Sequence, residues 1–257
     1  MTIDTPALVI LALLGLCVGS FLNVCIYRLP LRRSLVNPPS RCTRCDRELR
    51  WRDNIPVISY VVLGGRCRSC GARISLRYPI VELLTMGLFV LHGLMFDWTP
   101  LLAVRIAFAC ALLVLFAIDL EHQILPDVIT LPGIVVGLAC SLFLPPGILS
   151  SLLGAVVGGG VLFAIAEVWS RLRNVEAMGF GDVKMLAMIG AFLGLELVIL
   201  TFVLSSFLGG IFGAVLILSR RGTLASALPF GTFLAVAALI SSLWGADLVS
   251  WYVGFYS

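Results

Sequence analysis

Seven long apolar runs, separated by short polar segments, dominate the chain. An α-helix of about 20 residues crosses roughly 30 Å of hydrocarbon, because it rises about 1.5 Å per residue. The run at 182–219 has 38 residues and would measure about 57 Å as one helix. A turn near Gly194-Leu195-Glu196 would divide this run, which predicts eight transmembrane helices. The runs lie at 6–27, 79–96, 100–118, 127–144, 148–170, 182–219 and 229–249.

The composition indicates an all-α polytopic membrane protein. Hydrophobic residues make up 60% of the chain and charged residues 12%, whereas soluble domains carry roughly 25% charged residues. Backbone polar groups inside a bilayer must be hydrogen-bonded internally, which restricts spanning structures to helices and closed barrels. The alternating pattern of barrel strands is absent. Glycines inside the runs, at 158–160 and 209–210, are interpreted as close helix-packing positions and not as phosphate-binding loops.

Basic residues are concentrated on one predicted side of the membrane. Between Arg28 and Arg77 there are twelve arginines and three acidic residues. An excess of Lys and Arg marks cytosolic loops, so this segment is predicted to be cytosolic and the N-terminus to lie outside. Residues 1–5 contain Asp4 and no base, unlike the basic start of a signal peptide. The clustered arginines therefore do not require a nucleic-acid partner, and none is expected.

The same sidedness holds along the whole chain. If eight helices cross the membrane, seventeen of the eighteen Lys and Arg residues fall on the inner side, including Lys184 just inside a helix. Only Arg105 lies within a predicted span. This distribution agrees with the positive-inside rule and places the helix ends at 119 and 182 on the cytosolic face. The predicted inner segments are 28–78, 119–127, 171–181 and 219–228.

Two CxxC pairs in the cytosolic segment predict a zinc site. Cys42–Cys45 and Cys67–Cys70 are separated by 21 residues, a spacing typical of tetrahedral zinc. Disulfides are disfavoured because cytosolic thiols stay reduced. Four thiolates fill the coordination shell, so the metal is expected to be structural. The remaining cysteines lie in spans and are interpreted as packing residues: Cys17, Cys25, Cys110 and Cys140.

Two aspartates lie at the ends of apolar runs. Asp119 ends the third predicted span and Asp182 begins the sixth, and a charge inside a membrane helix costs about 3 kcal/mol or more. Helix N-capping is the structural alternative for Asp182 and also for Asp127. It does not suit Asp119, which meets the negative end of its own helix dipole. The residues alone leave two possibilities open, a functional carboxylate pair or two separate structural roles.

If the two carboxylates meet, they share a proton, because two adjacent negative charges repel each other. Such a pair can activate water and protonate a scissile peptide without a covalent intermediate, and it titrates as a unit. Gly179 and Gly181 would let an extended substrate backbone approach closely. Lys184 either positions substrate or extends to the membrane interface. Candidate supporting residues near Asp119 are Glu121, His122 and Asp127.

Several short motifs occur in a fixed order along most of the chain. They are Gly19-Ser20-Phe21-Leu22-Asn23-Val24, Tyr27-Arg28-Leu29-Pro30, the CxxC pairs flanking Asn54-Ile55-Pro56-Val57-Ile58-Ser59, Arg77-Tyr78-Pro79 with Val81-Glu82, Asp119 with Leu125-Pro126-Asp127, the GxGD at 179–182, and Pro229-Phe230-Gly231. In this combination the chain resembles the type IV prepilin leader peptidases, a family of GxGD aspartic membrane proteases that serve type IV pili and type II secretion.

The resemblance implies a bifunctional enzyme. Asp119 and Asp182 would be the catalytic aspartates of an endopeptidase that removes a short basic leader, after a glycine, from prepilins and pseudopilins. Cleavage would take place at the cytosolic face of the bacterial inner membrane, with the N-terminus of this chain in the periplasm. The new N-terminal residue would then be methylated from S-adenosylmethionine.

The methyltransferase activity is implied by the resemblance alone, since the chain has no glycine-rich nucleotide fingerprint. The family's second activity is usually placed in the zinc-knuckle loop, which makes Gly65 and Glu82 the candidate cofactor-binding residues. Their structural interpretations are a tight turn and an acid at a helix start.

Two alternatives remain at this point. One is a peptidase alone, with the zinc loop as a scaffold. The other is a non-enzymatic membrane assembly or transport protein whose aspartates bind ions. Transporter sites lie near the bilayer midplane, whereas both aspartates here are predicted at helix ends on one face. The expected organisation is a first transmembrane helix at 1–27, a cytosolic zinc-binding domain at 28–78 and a transmembrane peptidase core at 79–257. The oligomeric state is not predicted.

Overall fold

The computed structural model describes residues 4–173, 179–219 and 229–255, and in these ranges the chain is all-helical, as predicted. The described residues contain no β-strand, and their only β-type pairing is two isolated β-bridges, at Arg41–Glu48 and Arg66–Arg73. Parts of two predicted inner segments, 174–178 and 220–228, lie outside the described residues. The α-helices are α1 Thr5–Arg28, α2 Ile58–Val62, α3 Arg77–Met95, α4 Pro100–His122, α5 Asp127–Cys140, α6 Ile148–Arg173, α7 Phe180–Leu218 and α8 Phe230–Val253, and Trp51–Asp53 form a short 3₁₀-helix.

Six of these helices are long and apolar enough to cross a bilayer, namely α1, α3, α4, α6, α7 and α8. The chain is therefore a multi-pass membrane protein. Helix α5 is apolar but has only 14 residues, about 21 Å of helix. The kink at Gly194 divides α7 into two arms. With these arms counted separately and the short α2 left out, the described residues contain eight apolar helical segments, as predicted.

The predicted break in the longest apolar run is a kink at Gly194. Its φ of 81° and ψ of −178° lie outside the helical region, in a conformation that glycine adopts without a Cβ penalty. A Cβ at this position would come within 2.5 Å of the Ser150 hydroxyl oxygen. That hydroxyl accepts a hydrogen bond from the Leu195 amide at 3.2 Å, so the kink leaves this amide paired.

Several helix boundaries differ from the predicted runs by three or four residues, at the ends of α4, α5, α6 and α8. Helix α4 continues past 118 to His122, so Asp119 lies in its last turn and not beyond its end. The Asp119 carbonyl accepts the Gln123 amide at 2.9 Å, which continues the helical hydrogen-bonding pattern through this polar turn. Helix α5 ends at Cys140, before the turn at 141–143.

The contacts divide the chain into two compact units, residues 1–110 and 111–257. In the first unit α1 packs against α3. A Cβ on Gly15 or Gly19 would come within 2.7 Å of the α3 backbone, at Met86 and Glu82 respectively. Buried Asn23 donates to the Tyr78 carbonyl at 3.0 Å. Close backbone approach through small residues is the usual way in which membrane helices associate.

In the second unit α7 packs against α5, α6 and α8. The predicted packing role of the α6 glycines is correct for Gly158, whose Cβ would come within 2.8 Å of the Leu186 carbonyl oxygen. For Gly160, an added Cβ would meet nothing within 4 Å in the part of the chain that the structure describes, so no packing role is seen there. Helices α4 and α7 carry the candidate catalytic residues Asp119 and Asp182, and α8 contacts Asp119 through its first turn.

The domain boundaries at 27 and 78 stay a prediction.

Candidate active site and metal centre

The Asp119 carboxylate lies at the N-terminus of α8. Its Oδ2 accepts hydrogen bonds from the Thr232 amide at 2.7 Å and from the Thr232 hydroxyl at 3.0 Å. Both residues are buried, with Asp119 only 5% exposed. An acid at the C-terminal end of α4 is unfavourable for that helix, but the same carboxylate accepts from a first-turn amide at the positive end of α8. This amide also lies 3.2 Å from the Pro229 carbonyl oxygen, so it is shared between two acceptors. The neighbouring helix thus supplies the local stabilisation that α4 itself does not.

Asp182 lies in the first turn of α7, partly exposed. The helix-capping interpretation is wrong for its position, because Gly179 is the N-cap residue and accepts the Asp182 amide at 3.1 Å. The carboxyl groups of Asp182 and Asp119 are near enough to interact electrostatically. The two aspartates, 63 residues apart in the chain, are therefore brought into one site.

Leu125 fills the space between the N-termini of α7 and α8. A Cβ on Gly181 would come within 2.9 Å of the Leu125 Cβ, and a Cβ on Gly231 within 2.9 Å of the Leu125 Cδ1. The same Cβ on Gly231 would come within 3.0 Å of the Asp119 Oδ2. The absence of side chains at both glycines lets the two helix ends approach α4 and its following loop. Gly179 is different: among the described residues, a Cβ added there would find only the Gly181 amide nitrogen, at 4.0 Å.

Lys184 forms an ion pair with Asp127. The Nζ–Oδ1 distance is 2.7 Å, and the side chains are 27% and 56% exposed. The pair joins the first turn of α7 to the first turn of α5, where Pro126 and not Asp127 is the N-cap residue. Lys184 therefore contacts protein, and the expectation of Asp127 as a helix cap is wrong. Glu121 and His122, in contrast, are exposed and lie 3.9 Å from each other.

This arrangement distinguishes the two carboxyl groups chemically. Oδ2 of Asp119 is occupied as a hydrogen-bond acceptor, so a proton on this residue would be held at Oδ1. Asp182 is more open to its surroundings, and the described residues provide no hydrogen-bond donor to its side chain. The site therefore offers two interacting carboxyl groups. Such a pair can share one proton and activate a water molecule, and it supplies the acid and the base that uncatalysed peptide hydrolysis lacks.

The four cysteines of the CxxC pairs form one cluster. Their sulfur atoms all lie within 4.8 Å of one another, and the Sγ atoms of Cys42 and Cys70 are 3.8 Å apart. Tetrahedral zinc with Zn–S bonds of about 2.3 Å would separate its sulfurs by about 3.8 Å. None of the four is disulfide-bonded. The geometry of the cluster therefore fits a metal ion.

The two knuckles are built in the same way. In each one the amide of the first cysteine donates to a backbone carbonyl five residues later, that of Arg47 for Cys42 and that of Ala72 for Cys67. The residue after the second cysteine has a positive φ in each, 53° at Asp46 and 70° at Gly71. This left-handed residue closes the turn and directs both sulfurs of a pair to one side.

The backbone of the second knuckle prepares one of its thiols for a metal. The amides of Cys70 and Ser69 lower the pKa of Cys67 to about 6. The pKa of Cys70 instead rises to about 11: although the Ala72 amide lowers it, burial and the neighbouring Cys45, Cys67 and Cys42 thiols raise it. Four adjacent thiols cannot all ionise without a compensating cation, which is the charge that a metal ion supplies.

Gly65 and Glu82, the candidate cofactor residues, do not share a site. Gly65 lines a cavity of about 640 Å³ together with Tyr60, Arg66 and Arg73. Glu82 is 7% exposed, and its Oε2 accepts the Val57 amide at 2.8 Å. Val57 has a φ of 59°, which is a strained conformation for a β-branched residue. The buried carboxylate therefore holds the start of α2.

Sequence reasoning missed Thr232, Leu125 and the Glu82–Val57 contact. Thr232 directly follows Pro229-Phe230-Gly231, and Leu125 and Val57 lie inside quoted motifs. A proline before the first helical residue indicated the start of α8, and hence a free amide in need of an acceptor. Nothing local could identify that acceptor, since it lies 113 residues away.

Comparisons with known proteins agree across the chain. The family described as Bacterial Peptidase A24 N-terminal domain matches residues 13–96, and the Type IV leader peptidase family matches residues 106–214. A Prepilin leader peptidase/N-methyltransferase of Pseudomonas aeruginosa is 38% identical over 267 residues, covering 95% of this chain and 92% of the relative. A protein of the same description from Pseudomonas putida is 38% identical, covering 91% and 90%. One from Myxococcus xanthus is 42% identical, covering 82% and 63%. No solved structure matches the chain.

Proposed function

The chain belongs to the type IV leader peptidase family, and we propose that it cleaves the leader from type IV prepilins and N-methylates the new N-terminal residue, with Asp119 and Asp182 as the catalytic pair. The observation that carries the proposed pair is the meeting of the α4, α7 and α8 ends. There the buried Asp119 carboxylate bonds to Thr232 and interacts with the more open Asp182. The family membership favours an enzyme over the transport alternative.

In the proposed cleavage step the two carboxyl groups share one proton. The ionised group removes a proton from water, which attacks the scissile carbonyl, while the protonated group donates to the carbonyl oxygen. Collapse of the tetrahedral intermediate returns a proton to the leaving amine. The hydrogen bonds from Thr232 hold Asp119 Oδ2 in place, so the proton on this residue moves through Oδ1. The two roles belong to the pair, which titrates as a unit.

Gly179 is the better candidate for direct contact with substrate, because the space beside its Cα is open. Gly181 positions the site through its contact with Leu125. Lys184 acts by fixing the first turn of α7 to Asp127. In this proposal all three residues serve substrate positioning, but only Gly179 touches the substrate.

The metal held by Cys42, Cys45, Cys67 and Cys70 is proposed to be a structural Zn²⁺. Four thiolates complete a tetrahedral shell and leave no open position for a reactant. The segment between α1 and α3 contains only a three-residue and a five-residue helix. A metal ion would provide the stability that such a small apolar core cannot.

The methyl donor is proposed to be S-adenosylmethionine, with Gly65 lining its cavity. The positive φ of 66° at Gly65 and its contact with the Tyr60 ring shape one wall of that cavity. Glu82 would act indirectly, by holding the Val57 amide and thereby the start of α2. It is thus a positioning residue for the cofactor cavity and not a direct ligand.

The proposed location is the bacterial inner membrane, with the catalytic pair at the cytosolic face and the N-terminus in the periplasm. The distribution of Lys and Arg supports this orientation. The proposed substrates, prepilins and pseudopilins, would enter from the bilayer as apolar helices. Their leaders would stay on the cytosolic side.

The proposed function is tested with the purified protein in lipid nanodiscs, a synthetic prepilin and S-adenosylmethionine. Mass spectrometry of the product is expected to show loss of the leader and the gain of one methyl group on the new N-terminal residue. A product that lacks the leader but gains no methyl group would limit the function to the peptidase. Intact prepilin would refute the proposal.

A further inference from the structure

Helix α2 exposes a continuous aliphatic surface. Ile58, Val61 and Val62 are 60%, 70% and 72% exposed, and their spacing of three and four residues places them on one helix face. On the other side of α2, the Tyr60 hydroxyl joins the helix to the segment before α3 by donating to the Ile74 carbonyl at 3.5 Å. The Ser59 hydroxyl donates locally to the Ile55 carbonyl at 2.6 Å, which closes the start of the helix. The aliphatic face is therefore fixed in its orientation.

The contact between Glu82 and Val57 gives the depth of α2 relative to the membrane. Helix α3 has 19 residues, about 28 Å at 1.5 Å per residue, so it needs nearly its whole length to cross roughly 30 Å of hydrocarbon. Glu82 is five residues into α3, about 7.5 Å from its start. Its carboxylate bonds directly to the Val57 amide, at the start of α2. The N-terminus of α2 thus lies at the edge of the hydrocarbon and not out in the cytosol.

The aliphatic face also matches the neighbouring lipid-facing surface. Ile80 and Leu84, on the outward side of α3, are each 50% exposed, less than the three residues of α2. Leu76, which directly precedes α3, is 64% exposed. Exposed apolar side chains at the depth where a transmembrane helix begins indicate contact with acyl chains.

Positive charge borders the patch. Arg66 and Arg73 line the same cavity as Leu76, and the segment from Arg28 to Arg77 has a net charge of +9, from twelve arginines and three acids. Basic residues beside a half-inserted apolar face attract the anionic lipids of a cytoplasmic leaflet.

We propose that α2 is an interfacial helix, which inserts Ile58, Val61 and Val62 into the cytoplasmic leaflet while Arg66 and Arg73 bind anionic phospholipid headgroups. The zinc-bearing segment is then attached to the bilayer surface at a second point besides its two flanking spans. This attachment would fix the cavity lined by Gly65 at the depth where a substrate helix leaves the membrane. The attachment itself does not rest on the proposed enzymatic function.

The insertion is tested by fluorescence of a Val61→Trp variant of the full chain in nanodiscs, measured as the difference from wild type. Lipids brominated on their acyl chains are expected to quench the new tryptophan at least twofold, and aqueous iodide is expected to quench it little. Arg50→Trp, at an exposed position of the same segment outside α2, is the matched control and should show the reverse pattern. Quenching of Val61→Trp by iodide, or by neither agent, would overturn the proposal, since the face would be in water or covered by protein.

The headgroup contact is tested with two charge-matched double variants. Arg66→Gln with Arg73→Gln is expected to retain severalfold less phosphatidylglycerol than wild type, counted by native mass spectrometry after purification from mixed phosphatidylglycerol and phosphatidylcholine. Arg50→Gln with Arg52→Gln removes the same charge from the same segment and should retain the wild-type amount. An equal loss in both double variants would mean a diffuse charge effect and would contradict the assignment to Arg66 and Arg73.

Discussion

Oδ2 of Asp119 accepts both the backbone amide and the side-chain hydroxyl of Thr232, at 2.7 and 3.0 Å. The two residues are 113 positions apart, and the contact joins the last turn of α4 to the first turn of α8. It explains how an acid can occupy the C-terminal end of a membrane helix. In the proposed mechanism the contact also gives the two oxygens different tasks, since Oδ2 is held by the protein and Oδ1 carries the proton.

Thr232→Val is expected to lower kcat/KM for prepilin cleavage by about tenfold. The substitution removes one of two hydrogen bonds to a carboxylate, each of which contributes about 1.5 kcal/mol or more, and about 1.4 kcal/mol corresponds to tenfold in rate. Thr232→Ser keeps the hydroxyl and should retain nearly full activity at an unchanged melting temperature. Equal activity of the valine and serine variants would show that the backbone amide alone holds Asp119.

Gly181→Ala is expected to lose activity, whereas Gly179→Ala should fold and retain its Tm. A methyl group at 181 would come within 2.9 Å of the Leu125 Cβ and move the start of α7, but position 179 is open. In Gly179→Ala the parameter expected to change is KM, because Gly179 is proposed to contact the substrate. Steady-state kinetics of both variants test the difference. A Gly181→Ala enzyme with wild-type kcat would contradict the proposed role of the Leu125 contact.

The Lys184–Asp127 pair is expected to position α7 with little effect on global stability. An exposed pair contributes about 0–1 kcal/mol, so Lys184→Gln should change Tm only slightly but lower kcat severalfold. Exchanging the charges, with Lys184→Asp and Asp127→Lys together, should recover part of the lost rate. If Lys184→Gln raises KM and the exchanged variant recovers nothing, Lys184 binds substrate directly.

Zinc binding to the metal-free protein is expected to release about one more proton at pH 5 than at pH 7.5. The pKa of Cys67 lies at about 6 because the Cys70 and Ser69 amides bond to its sulfur. This thiol is therefore ionised at pH 7.5 and protonated at pH 5. Zinc binding then displaces its proton at pH 5 but finds no proton to displace at pH 7.5. Calorimetry in buffers of different ionisation enthalpy counts the protons. The same number at both pH values would contradict the lowered pKa.

The number and lengths of the long helices could be predicted because they follow from bilayer thickness. The turn near Gly194 was predicted correctly, since 38 apolar residues exceed what one crossing needs. The end of α4 was wrong, because polar residues after an apolar run can continue a helix wherever their backbone groups are satisfied. Apolarity indicates where the bilayer ends, but it does not indicate where a helix ends.

The approach of Asp119 to Asp182 could be suspected from the cost of placing charge in a membrane, but its geometry could not be derived. The capping interpretations of Asp182 and Asp127 were wrong. The N-cap residue is Gly179, three positions before Asp182, in α7 and Pro126, one position before Asp127, in α5. The four cysteines were predictable as a cluster, since their spacing is set by the coordination shell itself. The Thr232 contact depends on the packing of α8 against α4, which no local pattern encodes.

The most direct test of the proposed mechanism compares prepilin cleavage by wild type, Asp119→Asn and Asp182→Asn in nanodiscs. Each substitution keeps the shape of the side chain and removes its ionisable group, and Asp127→Asn serves as the matched control. Both catalytic variants are expected to lose cleavage by at least a thousandfold while keeping their metal content and Tm. The control breaks only the Lys184–Asp127 ion pair and should lose no more than severalfold. Near wild-type cleavage by either catalytic variant would contradict the shared-proton pair.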